Sequence, residues 1–116
     1  MTVKECYESM GSDYEAVLGR LGSEGMVKRF ALKFPNDPSY SNLEKAIAEQ
    51  NAEDAFRAAH TLKGICLNLG LDRLYKVSAE LTEKLRGREF NDYEASYQDV
   101  QKEYANTISA IQNMTE

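Results

Sequence analysis

Apolar residues recur along the chain at helical steps of three and four, and the rhythm breaks where glycine, proline or a small polar residue stands. Sustained period-two alternation is absent and alanine, leucine, glutamate and lysine dominate, so the pattern predicts an all-α fold. Thr2 with Glu5 forms a capping signal for a short first helix that Gly11 ends. Ser12 or Asp13 opens a second piece carrying Tyr14, Val17, Leu18 and Leu21, interrupted at Gly22. Ser23 restarts a helix through about Phe34, with Val27, Phe30, Ala31 and Phe34 as its apolar stripe. Pro35-Asn-Asp-Pro is a break, after which Asp37 as N-cap and Pro38 at the first helical position begin a helix that ends near Gln50.

Asn51 can cap a central helix from about Ala52 to Leu69, closed by Gly70. The next helix runs from about Asp72 to Arg86, with Leu74, Val77, Leu81 and Leu85 on one face, and Gly87 stops it. The last, from about Asp92 to Met114, places Tyr93, Tyr97, Val100, Tyr104, Ile108 and Ile111 along a bundle seam. Short connections make sequential helices antiparallel. The expected architecture is an up-and-down four-helix bundle over about 38–114, with short N-terminal helices over about 2–34 covering one end or side. One domain spans 1–116 in this reading.

Composition narrows the classes. A formal net charge of −5 argues against a nucleic-acid binder, which needs a basic face. No apolar run approaches the roughly eighteen residues of a membrane span, and the start has no signal-peptide pattern, so a cytoplasmic location is expected. Cys6 and Cys66 lack metal-site spacing and read as reduced thiols. No metal or cofactor of the chain's own is expected.

The chemistry concentrates on the central helix, which carries the only histidine, His60. At about 100° per residue, Ala55, Ala58, Leu62, Ile65, Cys66 and Leu69 share the core-facing arc. His60 lies almost opposite its centre. Around it on the outer face stand Gly64 one turn on, Lys63 three residues on, Arg57, and the apolar flanks Phe56 and Leu67, both expected to be partly exposed. A mid-helix glycine costs about 1 kcal/mol relative to alanine; here it clears space beside the imidazole. Histidine titrates near pH 6.5 in general, so a neutral ring can offer a lone pair to phosphorus. Lys63 can reach a dianion carried on the ring. No carboxylate cluster, glycine-rich phosphate loop or GxSxG is present to make an independent kinase or hydrolase.

Ala58-Ala59-His60-Thr61-Leu62-Lys63-Gly64, followed by Leu69-Gly70 and the inner positions Leu74 and Leu81, resembles the histidine-containing phosphotransfer (HPt) domain over roughly 51–87. The resemblance implies that His60 accepts a phosphoryl group, that Lys63 helps hold it, and that Gly64 leaves room for an incoming receiver domain. It also implies response-regulator receiver domains as donor and acceptor, with a hybrid sensor kinase as a further candidate partner. Any divalent metal would be the receiver's. The chain departs from the family pattern at Ile65 and Cys66, where small residues are usual, and at Leu81-Thr82, where a Leu-Glu pair is usual and Glu83 is displaced by one. Residues before about 50 match only loosely.

The expectation is therefore a monomeric phosphocarrier, not itself an enzyme. Its rival is a helical adaptor that binds partners through the Phe56/Leu67 face without phosphorylation. A third reading, a hydrolase with His60 as general base, would need a carboxylate or nucleophile converging on the ring.

Overall fold

The computed structural model describes residues 1–114. Among them the backbone forms α1 (Val3–Ser9), α2 (Tyr14–Leu21), α3 (Glu24–Lys33), α4 (Ser39–Ala48), α5 (Ala52–Leu69), α6 (Asp72–Leu85) and α7 (Glu94–Gln112), with a 3-10 turn at Phe34–Asn36 and no strand. Most starts follow from side-chain caps. Glu5 N–H donates to Thr2 Oγ1 at 3.1 Å while Thr2 N–H donates to Glu5 Oε1 at 2.8 Å, a reciprocal capping box. Asp13, Ser23 and Asn51 accept in the same way from the backbone N–H groups of Ala16, Met26 and Asp54.

Two boundaries differ from the sequence expectation. The Phe34–Asn36 turn tightens the chain before Pro38, so α4 begins at Ser39, one residue late; Asp37 still satisfies its first donor, accepting from Ser39 N–H at 2.8 Å. The connection after α6 is also longer than expected, because α6 ends at Leu85 and α7 starts only at Glu94. Gly87 is not the turn-making residue there: the left-handed positions are Arg88 (φ 58°) and Asp92 (φ 52°).

Helix α5 packs between α4 and α6, and α7 packs on α6. The ring closes through Tyr104 of α7, stacked on Tyr40 of α4 with centroids 3.7 Å apart and planes within 6°. Leu43, Leu62, Leu74, Leu81, Leu85, Val100 and Ile111 fill the centre and are essentially inaccessible. Each such side chain contributes about 2 kcal/mol by leaving water.

The N-terminal helices close the end of the bundle at which α5 finishes. Gly70 ends α5 in the left-handed region (φ 69°), and a Cβ there would also come within 3.0 Å of Val17 in α2. The last carbonyls of a helix have no partner within it. Here they find partners from α1 and α2: the buried Tyr7 hydroxyl donates to Leu69 O at 2.7 Å, and Arg20 donates to Asn68 O at 3.3 Å and Leu67 O at 3.0 Å. Arg20 also brings a cation to the negative end of the α5 dipole. The helix that carries the histidine is thus capped at both ends by side chains, one local and two from the N-terminal segment.

Candidate functional site

The site is one outward stripe of α5. Behind it Ala55, Ala58, Leu62, Cys66 and Leu69 are buried, as the helical arc requires. Ile65 is a correction: it is only half-buried, because it lines a groove of about 410 Å³ with Phe30, Phe34 and Leu69 rather than the bundle centre. Ala59 and Phe56 are buried in addition. Burial pushes the Cys66 thiol up, which keeps it protonated beneath the stripe.

His60 is exposed. The side-chain hydrogen bonds of this stretch run from Asn51 to Asp54, from Arg57 to Glu53 and from Thr61 to the Arg57 carbonyl, so both ring nitrogens are without an intramolecular partner among the described residues. One turn on, a Cβ built on Gly64 would meet nothing within 4 Å. The fold's own packing does not demand glycine there, and the space beside the imidazole opens outward. Lys63 is half-buried. Its charge reaches Glu83 of α6, whose carboxyl is held below the usual carboxylate range mainly by its hydrogen bond to Arg86, against the raising effect of partial desolvation, with smaller pulls from the Arg86 and Lys63 charges.

Three further candidates behave differently from one another. Arg57 is exposed, but its guanidinium is paired with Glu53 at 2.6 Å, one turn back and away from Gly64. Leu67 is bare, 52% exposed. Phe56 is a correction: expected to be partly exposed, it is only 8% exposed, covered by the connection that follows α6. Arg88 lies over its ring at 4.0 Å and Arg86 at 5.6 Å, while its neighbour along α5, His60, is stacked on Phe56 with centroids 6.1 Å apart and planes within 18°. A helical wheel gives the direction of a side chain but not what a distant loop lays on top of it.

Arg86, Arg88 and Glu83 are the neighbours that sequence reasoning missed. A signal existed. In an antiparallel α5–α6 pair turning at Gly70, the last turn of α6 must lie beside the first half of α5, so basic residues just after Leu85 had to arrive near Phe56.

Among the described residues no group of three or more His, Cys, Asp or Glu could hold a metal ion. No described helix is long and apolar enough to cross a membrane. Comparison with family models matches the Hpt domain over residues 37–114, two-thirds of the chain and all of the four-helix bundle. The chain belongs to the Hpt domain family. Its function class is accordingly histidine phosphotransfer in two-component systems, and Hpt domains are phosphocarriers that work with receiver domains and kinases. Neither the curated proteins nor the solved structures yielded a match. The match begins at Asp37, so α1 to α3 lie outside what the family model describes.

Proposed function

We propose that this Hpt domain accepts a phosphoryl group on His60 from an aspartyl phosphate of one receiver domain and passes it to an aspartate of another. A ring nitrogen lone pair attacks phosphorus, the N–P bond forms as the P–O bond to the aspartyl carboxylate breaks, and that bonding pair leaves with the carboxylate. The proton on the other ring nitrogen goes to solvent, and the reverse step restores it. The observation that carries this reading is an exposed imidazole with both nitrogens unengaged among the described residues, set opposite a buried face and beside an open Gly64. Lys63 supplies charge to the phosphoryl oxygens. The receiver brings any divalent metal and the acidic pocket that stabilises the transferring group. In this reading the protein acts as a cytoplasmic monomer with no kinase activity of its own.

The test is incubation with a phosphorylated cognate receiver. We expect an acid-labile, alkali-stable phosphate on His60, absent in His60→Gln; a folded wild type that gains none would overturn the reading. Replacing Gly64 by a bulky residue should slow transfer at least tenfold with the helix intact, and an unchanged rate would refute the access argument. The non-phosphorylated adaptor keeps Leu67 as a contact but loses Phe56, which is already covered. It predicts full partner response in His60→Gln.

A further inference from the structure

We infer that Arg88 binds the phosphoryl group carried on His60, and that it is held ready on the ring of Phe56. The inference rests on the phosphocarrier reading above and adds to it a residue from outside α5.

Position comes first. The Arg88 guanidinium lies 4.0 Å from the Phe56 ring centre, and that ring is stacked on the imidazole at 6.1 Å, so the cation is no farther from His60 than those two lengths joined. A long side chain covers such a gap by rotating about its own bonds, with no movement of the backbone.

Availability separates Arg88 from its neighbour. Arg86 is gripped by Glu83 through two hydrogen bonds, Nε to Oε1 at 3.0 Å and a terminal nitrogen to Oε2 at 2.6 Å. Arg88 forms no ion pair among the described residues; one terminal nitrogen donates to the Arg86 carbonyl at 2.7 Å, and the rest of the fork faces solvent and the ring. A guanidinium has five donors, so most remain for an anion.

The backbone supplies an independent observation. Arg88 occupies the left-handed region at φ 58°, a conformation that glycine takes freely and a side chain does not, while Gly87 immediately before it does not use positive φ. Leu85 O accepts from Arg88 N–H at 2.8 Å, so the turn is fixed at this residue. A glycine at 88 would make the same turn without strain. The strained position instead carries the side chain that reaches the platform beside the histidine, the pattern expected where strain serves a function.

Strength gives the direction of the change. A cation over an aromatic ring near the surface is held weakly, whereas guanidinium bonds to phosphate oxygens are charge-assisted and can be bidentate. Once His60 carries a phosphoryl group, the guanidinium transfers from the ring face to the phosphoryl oxygens, and Phe56 is uncovered as it leaves.

The experiment uses the full chain and phosphoramidate, a small donor that needs no receiver. Phosphorylated wild type, Arg88→Gly, Arg88→Gln and Arg88→Lys are followed by phosphorus NMR against pH, and their transfer to a receiver is timed. Loss of the cation should change the ionisation constant of the phosphohistidine by about threefold, toward weaker acidity. Transfer should slow by about three- to tenfold. Arg88→Lys should restore the ionisation constant, and Arg88→Gly should melt no lower than wild type because it relieves the turn. Arg88→Gln, which keeps the side chain without its charge, carries the same expectation should the glycine variant fold poorly. An unmoved ionisation constant in a folded, phosphorylated Arg88→Gln protein overturns the assignment, as does a loss of melting temperature with normal titration and transfer. A wild type that phosphoramidate does not label on His60 overturns the phosphocarrier reading as well; normal labelling with indifferent Arg88 variants overturns only this one.

Discussion

Phe56 and Leu67 point in nearly the same direction from α5, about 20° apart around the helix axis, yet one is 8% and the other 52% exposed. The difference lies in what stands above each. Over Phe56 the connection from α6 to α7 lays two arginines; over Leu67 nothing comparable comes down among the described residues, and the Arg20 side chain bonds to its carbonyl without covering its side chain. The two flanks of His60 are therefore unlike in kind. The Phe56 side is a covered, cationic edge. The Leu67 side is a bare apolar surface, ready for a partner as it stands.

The sharpest way to break this contrast is Phe56→Ala. A covered aromatic that packs against its neighbours should cost about 3 kcal/mol on truncation, read from urea denaturation; a loss below about 0.5 kcal/mol would mean the cover is not maintained in solution. Leu67→Ala should do the opposite. Its stability should stay within about 0.5 kcal/mol of wild type, while affinity for a receiver, measured by titration calorimetry, falls about tenfold, equivalent to ~1.4 kcal/mol. Gly64→Ala, between the flanks, should raise unfolding stability by about 1 kcal/mol because the helix gains propensity and the added methyl has open space. The smallest effect is expected at Arg57. Its pair with Glu53 is exposed, so Arg57→Ala should cost about 0.3–0.5 kcal/mol at low salt and less at high salt.

The same contrast explains how much was legible in the sequence. Helix positions, the caps at Thr2, Asp13, Ser23 and Asn51, and the left-handed stop at Gly70 are local events, written in a few adjacent residues, and they agree with the structure. So does the outward direction of His60, which needs only the period of one helix. Phe56 could not be read that way, because its cover comes from residues some thirty positions later in a connection whose path no periodicity describes. Ile65 failed for a related reason: its side of α5 faces α3 and the turn at Phe34, not the middle of the bundle. Reading the helix pair as an antiparallel hairpin, rather than each helix alone, would have brought Arg86 and Arg88 to the site.

The bonds from Tyr7 and Arg20 to the last carbonyls of α5 set a limit on how this chain can be divided. A protein trimmed to the segment that matches the family, 37–114, would retain His60, Lys63, Gly64 and the whole bundle seam. It would also leave the Asn68 and Leu69 carbonyls to water, reduce Leu67 O to its bond from Gly70 N–H, and remove the packing against Gly70, so α5 would fray backward from its end toward Leu67. On the proposed function, receiver binding would then weaken before phosphoryl acceptance did. The cut that sequence similarity invites runs through the anchorage of the exposed Leu67 surface.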